Sequence, residues 1–328
     1  MTTFRAAEGT RGLLVGALIV MATTGCDNVE WGGASLSLQP PPGSGEEDPT
    51  ASASDAPAPP SLPNGELLFV VSSSGDRRTA TAIAFVNEGG TARVPPVDNP
   101  RLGPLLANRL AGIGELTLFA NGTRAGTALV SGAAEEAGAC VGLPRLDVGI
   151  ELRERANEWP TLLAMPRSNE PWEHGDLAPP AQVREVRAAS LSMAGNMING
   201  EGAVWPPSVI GIRRDIQLFH GPDGLGVAAS FLYRDRLDAS PSPAGSYSIF
   251  VMGEERPDSV HQTYGDFHRS GTDGKQAPRY LASLDWDRDG ESEVVLEVFA
   301  EGQRSYRLLE RDGAQYVDAL DVVCGGPS

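Results

Sequence analysis

From residue 65 onward the apolar positions recur mainly with a period of two, the spacing of strands that bury one face. GELLFVV opens at Gly65, and TATAIAFVN (79–87) alternates until the turn Glu88-Gly89-Gly90. ELTLFANGTRAGTALV (115–130) reads as two strands joined at Asn121-Gly122, a pair suited to a type I′ turn. C-terminal to Pro207 strands are predicted in succession: SVIGIRRDIQLFH, LGVAASFLY, SYSIFVMG, RYLASLDW, EVVLEVFA, QRSYRLLE and AQYVDALDV. Pro222-Asp223-Gly224 and Arg311-Asp312-Gly313-Ala314 are turns between members of this series. Two stretches change the period. Leu102, Leu105, Leu106, Leu110 and Ile113 have the spacing of a short helix within 99–114, with Gly103 and Pro104 at its start. Val183, Val186, Ser190 and Met193 fall on one face of a helix over 181–194. The expectation is a mainly β body of antiparallel strands and hairpins with one or two short helices. It divides into an N-terminal part, 65–205, and a C-terminal part, 206–328. No internal repeat is strong enough to demand a propeller.

The first 64 residues have a different character. Arg5 and Arg11 precede the apolar run GLLVGALIVMA (12–22), which is 11 residues long. A spanning helix needs about 20, so residues 1–25 read as a secretory signal peptide. Thr23-Thr24-Gly25-Cys26 resembles the lipobox of bacterial lipoproteins, with Thr23 where that motif usually has leucine. The resemblance implies cleavage before Cys26, lipidation of that cysteine and anchorage of the exported protein to the cell envelope. The plainer alternative is an ordinary signal with an incidental cysteine. Asp27 bears on inner against outer membrane, but the rule varies between lineages and the choice stays open. Residues 26–64 would be the lipidated cysteine and a tether rich in proline, serine, alanine and acid, too poor in large apolar groups to offset its ordering entropy.

The whole chain has 43 acidic and 26 basic residues in 328, a formal charge of −17. That balance repels nucleic acid and anionic membrane surfaces, and argues against polyanion partners. Lys275 is the only lysine, so amine chemistry rests on it or is absent. Export would place Cys140 and Cys324 where disulfides persist. They either pair, closing a long loop, or remain two buried thiols.

The densest chemistry lies in LASLDWDRDGESEVVLEV (281–298). Asp285, Asp287 and Asp289 take positions 1, 3 and 5 of a loop, Gly290 takes position 6 and Glu293 position 9. Carboxylates so close raise one another's pKa, and a hard divalent cation removes the conflict. An EF-hand is excluded, because position 12 is Leu296 and the flanks read as strands. The pattern resembles the D-x-D-x-D-G-x-x-[DE] calcium loop of FG-GAP and VCBS-type repeats, which joins two β-strands. The resemblance implies Ca²⁺ held by Asp285, Asp287, Asp289 and Glu293, with Glu291 contributing its carbonyl. It spans about 25 residues and occurs once, whereas a propeller would repeat it. The alternative is a solvated acidic turn.

Other catalytic signatures are missing. His174, His220, His261 and His268 form no zinc motif, and there is no nucleophile elbow, P-loop or dinucleotide fingerprint. Trp159, Trp172 and Trp205 lie in a proline-rich middle, suited to packing under loops or, less simply, to stacking on sugar. Asn121-Gly122-Thr123 matches a glycosylation sequon but is better read as a turn. The sequence therefore points to a lipid-anchored envelope protein with a calcium-stabilised binding or structural module. A hydrolase would need Asp266 to converge with neighbouring histidines in a cleft, and a polysaccharide binder would need exposed tryptophans. The protein or polysaccharide partner is not legible.

Overall fold

The computed structural model describes residues 60–74, 77–134, 140, 142–159, 161–166, 183–221, 224–271 and 274–324. Residues 1–25, expected to be a signal peptide, Cys26 and nearly all of the expected tether lie outside them. Two compact units divide the chain at Pro57, and everything below belongs to the second, Ala58–Ser328.

Seven strands build the first layer: β1 (Glu66–Ser74), β2 (Arg77–Val86), β3 (Ala92–Arg93), β4 (Glu115–Ala120), β5 (Thr123–Ala133), β6 (Arg145–Leu152) and β7 (Leu162–Pro166). Their order is β1-β7-β4-β5-β6-β2-β3, and β1 also pairs with β2. Six antiparallel strands thus close into a barrel, which removes the open edges a flat sheet would leave. Alternation assigns the interior. Leu67, Phe69 and Val71 of β1 meet Leu116, Leu118, Leu146, Val148 and Leu162 inside the barrel. Leu68 and Val70 point the other way, into a second core. A bulge in the β1–β2 register lies between Leu68 and Phe69, and Ala82 and Ala84 are their partners. Asn121 and Gly122 both have positive φ, 45° and 79°, as a type I′ hairpin requires.

Helix α1 (Gly103–Ala111) contributes Leu106 to the barrel core, and Leu110 and Ile113 pack beside it. Pro104 stands within its first turn, where a missing N–H costs nothing. Helix α2 (Arg184–Gly200) is longer than the 181–194 segment expected, and residues 181 and 182 are outside the described set. It buries Val186, Ser190, Met193, Ala194 and Ile198.

The C-terminal strands form two further antiparallel sheets. One comprises β8 (Arg213–His220), β9 (Leu225–Tyr233), β10 (Tyr247–Glu255) and β11 (Val260–Arg269); the other comprises β12 (Ala277–Leu284), β13 (Glu293–Ala300), β14 (Gln303–Asp312) and β15 (Gln315–Cys324). Residues 209–212, expected to start a strand, instead form a helical turn, α3 (Val209–Ile212). Ser208 caps it by accepting the Gly211 N–H at 3.3 Å.

The β12–β15 sheet lies between two cores. Ala282, Leu284, Trp286, Val295, Tyr306 and Leu308 join Leu68, Val70, Ile83 and Leu163 from outside the barrel. Tyr280, Val294, Leu296, Val298 and Leu309 face Phe219, Phe250 and Met252 of the β8–β11 sheet. That is why EVVLEVFA reads as a nearly continuous apolar run: β13 is covered on both faces. The far side of the β8–β11 sheet receives α2. A boundary at 205/206 would therefore fall between α2 and the strands it packs on. The Sγ atoms of Cys140 and Cys324 stand at disulfide distance inside the first of these cores, with Cα atoms 4.4 Å apart.

Candidate metal centre

The aspartate loop is the connection between β12 and β13, residues 285–292. Trp286 fixes its base, since the indole is buried in the core shared with the barrel. Asp285 is buried and organises the turn: Oδ1 accepts the Arg288 N–H at 2.7 Å and Oδ2 accepts the Gly290 N–H at 3.1 Å. Asp287 Oδ1 accepts from Asp289 N at 3.2 Å, and Asp289 Oδ1 from Glu291 N at 2.8 Å. Gly290 has φ 94°, which favours glycine, and Arg288 accepts φ 67°.

These bonds bring Asp285, Asp287 and Asp289 together. One carboxylate oxygen from each lies within 4.8 Å of the others. Ligands on opposite sides of a Ca²⁺ ion stand about twice 2.3–2.6 Å apart, so the three oxygens fit one coordination sphere. Glu293 is not part of this close trio. Its Oε2 accepts the Trp286 N–H at 2.9 Å. Burial, and then the charges of Asp287 and Asp285, push its carboxyl up to about 9. Burial also raises Asp287, helped by Asp289 and Asp285. The Glu291 side chain turns toward Arg311, whose Nε is 3.8 Å away.

Two neighbours come from distant sequence. A Cβ on Gly90, in the β2–β3 turn, would stand 3.0 Å from Asp287 Oδ2, so glycine there admits the carboxylate. Arg311 donates from Nη1 to Glu254 of β10 at 2.6 Å, tying the loop's edge to the next sheet.

No family model matches the chain, and neither a curated protein nor a solved structure does.

The remaining candidates disperse. Asp266 accepts from Arg307 at 2.9 Å, His261 faces Asp258 at 3.1 Å, and His268 contacts the Gly274 carbonyl at 2.7 Å. The convergence a hydrolase would need is therefore not formed by these three residues. His220 Nε2 is buried without a hydrogen-bond partner among the described residues. Asn121 is buried, and its Oδ1 accepts from Ser283 at 2.9 Å and from Tyr280, so the sequon is closed to a glycosyl group. Trp159 packs against the barrel core, Trp205 is half exposed, and Trp172 and His174 lie outside the described residues. Lys275 is fully buried, with Nζ 2.8 Å from Asp235 and 3.3 Å from the Ser240 carbonyl. Composition signalled only that this lysine was alone; its partner sits 40 residues away.

Proposed function

We propose that the chain is an exported protein, lipid-anchored to the cell envelope through Cys26, whose β body binds Ca²⁺ at the 285–293 loop and serves as a binding or structural module. The observation that carries the calcium reading is the meeting of three carboxylates, one of them buried, in a hairpin of the sheet that lies between the barrel and the β8–β11 sheet. Asp285, Asp287 and Asp289 would hold the ion. Glu293, at the base of the same loop, would reach it directly or through water, and the Glu291 carbonyl would complete the loop's contribution. The ion would neutralise a cluster that the fold otherwise forces together, and so lock the β12–β13 hairpin. FG-GAP and VCBS-type loops remain the pattern it resembles, and the two-sided burial of β13 suits a single clamped hairpin.

Thermal unfolding in EDTA, calcium or magnesium tests this. With a Kd of about 0.1 mM and about 1 mM free calcium, linkage adds about 1.4 kcal/mol. A body of this size then gains about 2–4 °C in midpoint. Magnesium should do much less, because it demands octahedral geometry and keeps its waters. Asp287→Ala should abolish the calcium response and leave the metal-free protein folded. Equal midpoints in EDTA and millimolar calcium would reduce the loop to an acidic turn. The anchor has its own test: Cys26→Ser should move the protein from the detergent phase to the aqueous phase.

A further inference from the structure

Among the described residues eight large apolar side chains are exposed, and three of them, including the only tryptophan, fall within residues 204–210: Val204 (64%), Trp205 (50%) and Ile210 (57%). The segment links α2 to α3 on the side of the β8–β11 sheet away from β12–β15. Its conformation is held in place. The Tyr247 hydroxyl donates to the Val204 carbonyl at 2.8 Å, and Trp205 Nε1 donates to Asn199 at 3.0 Å. Gly195 gives the indole room on α2, since a Cβ there would already touch the ring at 3.5 Å.

The charge along it differs from that of the chain. Residues 202–214 contain Arg213 and Arg214 and no acid, with Glu201 and Asp215 just beyond its two ends, against −17 overall. Arg214 donates only to the Gly211 carbonyl, at 3.5 Å, and Arg213 has no ion pair among the described residues. Arg187 of α2 lies close enough to Arg213 to add to the effect of burial in lowering its pKa. Arg269, stacked on Phe267, donates to the Glu201 carbonyl at the end of α2.

We propose that Val204, Trp205 and Ile210, with Arg213 and Arg214, form a seat for the surface of an anionic lipid bilayer. Apolar and aromatic groups enter the headgroup boundary while guanidinium groups meet lipid phosphates. Other occupants fit less well. Ser208 is engaged in capping α3 and Asn199 in holding Trp205, so few polar groups remain for sugar hydroxyls. A second copy of the chain would set arginine against arginine. The acidic remainder of the molecule is repelled by the same bilayer, which would hold it in one orientation with this face down. The seat is separate from the lipid on Cys26, and its test removes that group.

The full chain carrying Cys26→Ser is mixed with vesicles of phosphatidylcholine alone or with phosphatidylglycerol added, then sedimented. Binding is expected only with phosphatidylglycerol, and it should fade as salt rises. Each arginine near an anionic surface is worth about a factor of five, so Arg213→Gln/Arg214→Gln should weaken binding about 25-fold. Trp205→Ala/Ile210→Ser should weaken it at least about tenfold. Brominated lipid should quench tryptophan emission in the parent and much less in Trp205→Phe. Unchanged thermal midpoints would show that the variants stay folded. Absence of binding to either vesicle, binding that both double variants retain, or a Trp205-dependent dimer in place of vesicle binding would overturn the proposal.

Discussion

Removing the link between Cys140 and Cys324 should be the largest single blow to the stability of the body. The cysteines are 184 positions apart, so the bridge closes most of the folded chain into one loop. In the chain-entropy treatment a loop of that length removes about 17–18 cal/mol/K from the unfolded state, or about 5 kcal/mol at 25 °C. Native domains have about 5–15 kcal/mol in total, so loss of the bridge consumes a large share. Both sulfurs also fill space in the core between barrel and last sheet, and truncation to alanine adds about 1 kcal/mol for each. The experiment compares Cys26→Ser chains, so that these are the only two cysteines, with and without Cys140→Ala/Cys324→Ala, by urea unfolding. With a slope of about 3 kcal/mol/M the midpoint should fall by about 2–2.5 M. The slope itself should steepen, because an unlinked unfolded chain exposes more surface. A fall below about 0.3 M would refute the reasoning, as would complete alkylation of both thiols in the native chain without reductant.

Replacing one partner of a buried ion pair should cost more than replacing both. Lys275→Met leaves the buried Asp235 uncompensated and should lose about 3–5 kcal/mol, whereas Lys275→Met/Asp235→Leu should recover most of it, as a double-mutant cycle in urea would read. Gly226→Ala would place a methyl 2.3 Å from the Phe219 ring, and overpacking of that kind costs about 1–3 kcal/mol, seen as a lower thermal midpoint. Glu293→Gln should behave oppositely in EDTA. It keeps an acceptor for the Trp286 N–H and spares the chain the proton that burial forces onto Glu293 on folding anywhere between the ordinary glutamate range and about 9, so a gain of about 1–3 kcal/mol is expected at neutral pH, together with a weaker calcium response.

Most strands were legible because each has a solvent face or a covered face that writes its own period. β2, β4, β5, β12, β14 and β15 follow the alternation, while β1 and β13, covered on both faces, read as short continuous apolar runs bounded by turn residues. β6 carried the same signal in Leu146, Val148, Ile150 and Leu152, which alternate as a half-buried strand should. The barrel's closure was not legible, since nothing local to β1 says that it will hydrogen-bond to both β2 and β7. Periodicity also misread 209–212, where a serine cap decided the local structure. At the aspartate loop the spacing of the three aspartates was sufficient to place them together, because their bonds are to amides two to five residues ahead. Gly90 and Arg311 come from tertiary contact and left no mark in the loop's own sequence. Trp205 suited packing by residue type; its half-exposed position became visible only with the α2–α3 connection.

The burial of Lys275 has a practical corollary for anyone handling the protein. Reagents that acylate ε-amines find no accessible target on the folded body, since its one lysine is enclosed by Asp235, Asp238 and the Ser240 carbonyl. The same property makes Lys275 a single-site reporter. Acylation there requires Lys275 to part from Asp235 and the Ser240 carbonyl, so its rate, followed by intact mass, counts openings of that contact one modification at a time.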